Sequence, residues 1–396
     1  MYTLGICAEY NPFHNGHLFH VHESQREVQP DFTYAVINGN FSQRGECSIV
    51  DKFCRTKMAL ASGIDVVIEN PLPFATASAE SFALSAVILL DAAGATHMSF
   101  GAESGDLHLL RQIAEACIQN AAPAKKEFKR LMSQGLPYHT AKEYSHYILR
   151  QYHDIISKPN HILAIEYLKS MQMIKSRMQP VAVRRSNNES STSIRKKIII
   201  DSGAIMNGGF AGTAAAYDMP THVFDILRDA LRSYGAACIS RLDDVLFYLL
   251  SAKDLGYIKA ISGMNDGLAE RFVGLAPLFN NSADLFAAVK TKRHTYARLK
   301  RTALSLLLGI TAQERTRYIT PLYLRVLGFR NADALRHLMD HATLPVVVNI
   351  SKVDNLSAEA RYMLDMELHS TNVYNICREK KKDIVNEEYR QKIIKN

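Results

Sequence analysis

Glu9-Tyr-Asn-Pro-Phe-His-Asn-Gly-His17 is the stretch on which the fold turns. Before it, Leu4 to Glu9 is a short apolar run with strand character, and after it His17 to Gln29 carries helical spacing. A strand that passes through an Asn11-Pro12-Phe13 turn directly into a helix is the opening of a βα unit. The helix start then sits at the carboxyl edge of a parallel sheet, where its unpaired N–H groups and positive dipole end face an anion. His14 and His17 lie three residues apart, so both imidazoles can face one group, and Gly16 between them lets the backbone come close. Phosphate is the guest that this arrangement suits. Donors placed there act by stabilising charge that develops in a phosphoryl transition state, without a covalent intermediate. A bare pair of histidines in a loop could be chance, whereas this placement between strand and helix argues for a site.

Working outward, further strands are expected at Thr33 to Asn38, Asp65 to Glu69 and His97 to Phe100, with helices at Asp51 to Ser62 and Ala77 to Gly94 between them. That alternation predicts a doubly wound α/β domain around a parallel sheet. Residues 106–176 then read as helices at Leu107 to Gln119, Lys125 to Gln134, Thr140 to Gln151 and His161 to Ser176, a helical insertion spanning about 104–176. Pro180 to Arg184 is expected as a fifth strand, followed by a helix at Ser193 to Ser202. Gly203 to Gly212, with four glycines, is the expected linker, which divides the chain into domains 1–203 and 204–396. Helical segments follow at Thr221 to Ser233, Leu242 to Ser251, Gly267 to Ala276, Asp284 to Val289, Thr295 to Leu308 and Leu356 to Leu368. One short buried strand is expected at Pro345 to Ile350. The second half is therefore expected to be mainly α.

With 47% hydrophobic and 22% charged residues over 396 positions, the composition is that of a globular protein. The net charge of +8 is concentrated downstream, where residues 204–396 carry 26 Lys and Arg against 20 Asp and Glu. This bias suits a polyanion, and nucleic acid above all, better than a membrane surface. The longest apolar stretch is broken by Ser85 and Asp91, and the first residues lack a basic region before an apolar core. Neither a signal peptide nor a membrane span is expected, and the scattered cysteines predict reduced cytoplasmic thiols.

Ser190-Ser-Thr-Ser-Ile-Arg195 also precedes a helix. Its hydroxyls and N–H groups could grip phosphate while Arg195 adds a charge, although the same residues would serve as a plain helix cap. The loop Asn38 to Gly45 and the helix start Asp51 to Arg55 both fall on the ligand-binding edge of the sheet. There Gln43 and Arg44 are candidates set against a solvated loop, and Lys52 and Arg55 against a salt-bridged helix face. In the second half Lys290, Lys292, Arg293, Arg298, Lys300 and Arg301 place six positive charges and no acid within twelve residues, enough for several phosphate contacts. His294 and Tyr296 interleave rings that could stack on an unpaired base. The run Arg378 to Lys382 reads as an exposed tail.

HNGH together with SSTSIR resembles the paired signatures of the HxGH nucleotidyltransferases and class I synthetases. With GNFSQRGE, DKFCRTKMAL, GIDVVIENPLPFATASAE and KPNHILAIEYL, the chain is similar to the bacterial tRNA(Met) cytidine acetate ligase family, and KTKRHTYARLKR extends the likeness more weakly into the second half. The resemblance implies a Rossmann-like domain of the HIGH nucleotidyltransferase type and a mainly helical tRNA-binding region. It implies acetate activation by ATP to acetyl-adenylate and pyrophosphate, then acetyl transfer to N4 of the wobble cytidine of elongator tRNA(Met). His14, His17 and Arg195 are the catalytic candidates. By the same resemblance ATP is held by Ile6, Cys7, Ala8, Glu9, Tyr10, Asn11, Pro12, Phe13, His14, Asn15, Gly16, His17, Leu18, Phe19 and His20. Gly101, Asn160, Arg185, Ser186, Ser191 and Thr192 complete that set. Mg2+ is expected only as ATP's companion, since no carboxylate cluster announces a metal site. An adenylyltransferase for a phosphorylated cofactor precursor and a non-catalytic RNA-binding protein remain as alternatives, and the oligomeric state stays open.

Overall fold

A computed structural model describes residues 1–136, 152–156, 158–185, 190–206, 215–265, 267–291, 294–381 and 385–396. Five parallel strands form its frame: β1 (Thr3–Ala8), β2 (Phe32–Asn38), β3 (Val66–Asn70), β4 (His97–Ala102) and β5 (Gln179–Arg184). They are ordered β5-β4-β1-β2-β3, so successive connections run one way from β1 to β3 and then cross back to β4 and β5. The reversal falls between β1 and β4, the position where open α/β sheets bind ligands at their carboxyl edge.

Helices cover both faces. On one side α1 (Asn15–Val28) and α2 (Lys52–Ala61) bury Val21, Val28, Met58 and Leu60 against Leu4, Ile6 and Ile37. On the other, the one-turn α3 (Leu72–Ala75) leads into α4 (Ala79–Ala92), and α5 (Leu107–Gln119), α6 (Ala121–Ser133) and α7 (Pro159–Met173) follow β4. Phe82, Leu89, Ile113 and Leu168 from α4, α5 and α7 pack there on Val36, Met98 and Phe100. The continuous apolar strands follow from this two-sided burial. α8 (Ser191–Met206) returns along the first face with Ile194 and Ile198, and runs through Gly203, where the linker was expected to begin. The rest of that glycine-rich segment and the expected helix at 140–151 lie largely or wholly outside the described residues.

Beyond it, α9 (Thr221–Tyr234) packs Phe224 and Leu227 into the first-face core. A helical cluster follows: α10 (Asp243–Ala252), α11 (Leu255–Ala260), α12 (Leu268–Leu275), α13 (Ser282–Val289) and α14 (Tyr296–Leu307), around Phe272, Leu285 and Leu299. Then α15 (Ala312–Arg317) leads to a strand that the periodicity did not announce.

β6 (Leu324–Phe329) pairs antiparallel with β3, Val66 opposite Phe329 and Glu69 opposite Arg325. Both β7 (Val346–Val347) and β8 (Ile394–Lys395) pair with β6, giving eight strands in one sheet. The sheet therefore crosses the division expected at residue 203. β6 escaped notice because Arg325 and Gly328 interrupt its apolar run. Here Arg325 is neutralised inside the core, and Gly328 is closely covered by Ile394 and Thr56. After α16 (Ala332–His341), the long α17 (Ala358–Ile376) and the one-turn α18 (Glu387–Arg390) close over the carboxyl end of β3.

That closure decides one expectation and corrects another. Lys52, weighed as a salt-bridged helix face, is fully buried and pairs with Glu69 at 2.6 Å, Glu388 at 2.5 Å and Glu367 at 3.2 Å. Arg325 completes the network through Glu69 at 2.8 Å and Glu388 at 2.5 Å. Two cations face three acids. Burial and the neighbouring Glu69 and Glu388 charges raise Glu367 to about 8, so it is protonated at neutral pH and the network balances. Arg378, expected in an exposed tail, is also buried, donating to Asp51 Oδ2 at 2.8 Å and to Glu387 Oε1 at 3.1 Å. A flanking charge run does not reveal such pairing, because the partners come from distant segments.

Candidate active site

The mouth of α1 is built by its own cap. His14 is the N-cap residue, and its Nδ1 accepts the Gly16 N–H at 3.0 Å; the His14 N–H in turn donates to His17 Nδ1 at 3.3 Å. The rings stack with centroids 3.7 Å apart. Burial, with the Arg185 and Arg195 charges, lowers His14 to about 4; burial, with the His14, His20 and Arg185 charges, holds His17 well below its usual value. Both imidazoles are therefore neutral at pH 7. Since each Nδ1 already accepts a backbone proton, each ring's single proton is on Nε2. The backbone thus fixes two neutral Nε2–H donors at a helix start whose first turn has no acid.

Tyr10, with φ 46°, turns the chain between β1 and this cap and is almost wholly buried, its ring against Phe13 at 4.7 Å and edge-on to His17 at 5.0 Å. A left-handed tyrosine is costly, and such strain is retained where the surroundings over-determine it. Arg55, buried and expected on a helix face, is one of those determinants: its guanidinium donates to Glu9 O at 2.7 Å and Asn38 O at 3.0 Å, and also meets Gly39 O. It therefore ties the ends of β1 and β2 together.

The second signature arrives opposite the first. Ser190 Oγ accepts from Ser193 N at 3.2 Å, serving as the cap of α8, which leaves Ser191 Oγ to take the His14 Nε2 proton at 2.9 Å. Arg195, one turn on, donates to Asn11 O at 2.8 Å and to Thr192 Oγ1 at 3.2 Å. His20, from the next turn of α1, meets Ser99 Oγ at 2.9 Å on β4, and Ser24 Oγ lies 2.7 Å from the same hydroxyl.

Across the switch point, Gly101 lies in β4 beside Arg185, whose N–H donates to Ala102 O at 3.0 Å. Asn160, at the start of α7, donates Nδ2 to Glu103 Oε1 at 2.8 Å. Among the nucleotide candidates, Cys7, Ala8, Glu9, Asn15, Gly16, Leu18 and Phe19 are at least partly accessible. Ile6, Phe13, Asn11 and Pro12 are buried. Asn11 Oδ1 is occupied by Ile49 N at 2.9 Å, and Asn15 Nδ2 by Tyr217 O at 3.1 Å. Ser186 lies outside the described residues. Among those described, no group of three or more His, Cys, Asp or Glu could hold a metal ion, and no helix is long and apolar enough to cross a membrane.

A family model described as HIGH Nucleotidyl Transferase matches residues 1–389. A protein of Thermoanaerobacter sp. (strain X514) named tRNA(Met) cytidine acetate ligase is 34% identical over 395 residues, covering 95% of this chain and 96% of its own length. The Fervidobacterium nodosum protein of the same name is 36% identical, covering 91% of this chain and 87% of its own length. The chain belongs to the tRNA(Met) cytidine acetate ligase family. Among solved structures, Thermotoga maritima TmcAL bound with alpha-thio ATP is similar with a TM-score of 0.89 at 29% identity, covering 100% of this chain and 99% of that one.

For a member of this ligase family, the expected RNA-binding residues fall into two groups. Lys290 is exposed, 5.1 Å over the ring of Tyr296, itself 45% exposed. Arg298 is half-buried and donates to Asn265 Oδ1 at 2.6 Å. Lys300 and Arg301 instead turn towards the loop after β2: Lys300 Nζ pairs with Glu46 Oε1 at 2.5 Å, Glu46 Oε2 lies 3.8 Å from Arg195, and Arg301 Nη1 donates to Gln43 O at 3.4 Å. Lys292 and Arg293 lie outside the described residues. His294 is buried, which corrects its reading as a base-stacking ring.

Sequence reasoning did not anticipate that Glu46 would join the second signature to the basic helix of the ligase. Nor did it anticipate that Glu9, expected at the nucleotide, would take the Gln43 N–H on its carboxylate at 2.8 Å and anchor the loop after β2. The cue was Gly45: with φ 76°, a Cβ there would stand 2.4 Å from the Arg301 backbone nitrogen, so the loop lies directly on α14.

Proposed function

We propose that this chain activates acetate with ATP and transfers the acetyl group to N4 of the wobble cytidine of elongator tRNA(Met), working in the cytoplasm. The observation that carries the reading is the pair of neutral Nε2–H donors at the mouth of α1, faced by Ser191 and Arg195. The names of the relatives at 34 and 36% identity support the substrates.

In the first step an acetate oxygen attacks the α-phosphorus, the bond to the bridging oxygen of pyrophosphate breaks, and acetyl-adenylate and pyrophosphate result. His14, His17, the N–H groups of the first turn and Arg195 hold the phosphate oxygens, where negative charge moves onto the leaving group. Neutral imidazoles suit this role, because Nδ1 keeps the lone pair that accepts the orienting backbone N–H while Nε2–H donates. Arg185 adds positive charge beside both rings. Mg2+ accompanies ATP as its counter-ion, and the residues described here act on phosphate oxygens. In the second step the cytidine amine attacks the acetyl carbon, AMP leaves, and N4 sheds one proton to give N4-acetylcytidine.

Incubation with ATP, labelled acetate and unmodified elongator tRNA(Met), followed by nucleoside mass spectrometry, tests the reading. Acetylcytidine is the expected product. Its absence, with pyrophosphate released on a phosphorylated small molecule instead, would replace the reading with an adenylyltransferase.

A further inference from the structure

Arg301 and Arg315 are half-buried guanidiniums whose partners among the described residues are all neutral oxygens. Arg315, on α15, reaches the turn after β3, where Nη1 donates to Pro73 O at 2.5 Å and to Thr76 Oγ1 at 3.3 Å. Its Nη2 meets Thr76 Oγ1 at 3.4 Å and Ser305 Oγ at 3.3 Å, and its Nε meets Ser262 Oγ at 3.4 Å. Ser305 Oγ donates onward to Arg301 O at 2.9 Å. Gln43, whose carbonyl receives Arg301, sends its own amide to Ala77 O at 3.1 Å. The loop after β2, the turn after β3 and two arginine-bearing helices thus close on one place.

The nearby carboxylates are engaged elsewhere. Glu46 is held by Lys300, Glu9 by Gln43 N, and Glu314 by Thr311 N at 2.7 Å and the Tyr362 hydroxyl at 2.5 Å. Burial and the Arg301 charge lower Arg315 to about 10, and burial and the Arg298 charge also lower Arg301. Of the other buried arginines, Arg325 and Arg378 are each neutralised by two carboxylates, while Arg55 is held by the three carbonyl oxygens that tie β1 to β2. A desolvated guanidinium pair without such a partner is costly unless the countercharge comes from outside. Its position is one loop from the phosphate mouth, through Gln43 to Glu9 and through Lys300 and Glu46 to Arg195. A nucleobase delivered to that mouth would bring its flanking backbone near this loop, where Arg301, whose guanidinium meets only the Gln43 carbonyl among the described residues, offers its fork to phosphate oxygens and Arg315, held by its neutral partners, adds charge behind it.

We propose that Arg301 and Arg315 together receive a phosphodiester of the RNA strand whose base is presented to the ATP site. This rests on the RNA-acetylating reading above. The test is binding of unmodified elongator tRNA(Met), followed by fluorescence anisotropy across roughly 50 to 200 mM salt, for the wild-type chain and the variants R301Q, R315Q and R301K. Each glutamine variant is expected to weaken binding about tenfold and to flatten the slope of log affinity against log salt by about 0.7 to 0.9. R301K keeps the charge and is expected to retain the wild-type salt slope while losing the part of the affinity that the fork supplies, a split which a packing role would not predict. Urea midpoints show whether each variant folds; should R315Q unfold, R301Q carries the test. Unchanged affinity and slope, with the wild-type enzyme still forming acetylcytidine, would overturn this site and leave the function standing. A higher acetate requirement with tRNA affinity intact would assign the pair to the acetate carboxylate and likewise overturn it. Failure of the wild-type enzyme to form acetylcytidine would instead overturn the parent reading.

Discussion

The mouth of α1 and the Lys52 network are both polar, both buried and both at the carboxyl edge of the same sheet, yet their accounting is opposite. Around Lys52, two cations, two ionised acids and one protonated acid satisfy one another, with the pairs at 2.5 to 3.2 Å. At the mouth, the neutral histidines present Nε2–H donors, one resting on a serine hydroxyl, beside two arginines. A closed polar cluster holds architecture, whereas donors and charges left for an external partner mark a place for chemistry.

The sharpest way to break this contrast is Lys52→Met. It removes the cation from two buried ionised acids and should cost about 3 to 5 kcal/mol of stability, read as a lower urea midpoint. A variant as stable as the parent but unable to use ATP would place the network in the function. His17→Ala is the converse: acetylcytidine formation should fall by about 10²- to 10³-fold, the scale for one preorganised transition-state donor. Circular dichroism should show a folded protein; a matching loss of helix would make His17 architectural. Gly45→Ala tests the loop between the regions. The positive φ and the approach to Arg301 predict a loss of about 1 to 3 kcal/mol in chemical denaturation, and an unchanged midpoint would mean that the loop does not rest on α14 in solution.

The last test is in pH. Glu367 is raised from 4.5 to about 8, so the folded state holds a proton that the unfolded chain gives up, and stability falls by about 1.4 kcal/mol per pH unit from the ordinary carboxylate range up to about 8. Glu388 is depressed to about 2 by Arg325 and Lys52, so its contribution is present above the ordinary value and lost as pH falls towards 2. Glu367→Gln, which imitates the protonated acid, should flatten the alkaline arm alone in urea titrations at several pH values. An unaltered arm would show that Glu367 is ionised in the fold.

Much of the parallel part of the sheet and its helices was legible because its signals are short-ranged. The apolar runs of β1 to β5, the three-residue spacing of His14 and His17 and the turn before α8 each depend on residues within a few positions of one another, so periodicity and spacing expose them. The resemblance added the substrates, and the relatives support them. What escaped was non-local: β6, whose Arg325 reads as an interruption until Glu69 and Glu388 are seen beside it, and Arg378, which reads as tail until Asp51 neutralises it across 327 positions of chain.

From its sequence alone, then, this chain specified a strand, a turn and a helix whose start must meet an anion, since backbone dipoles and the 3.6-residue period act locally. Only the tertiary structure decided which charges are spent and which are left over. Burial, protonation and tautomer depend on which distant side chains the fold brings within a few ångströms, and that proximity is written in no single stretch of residues.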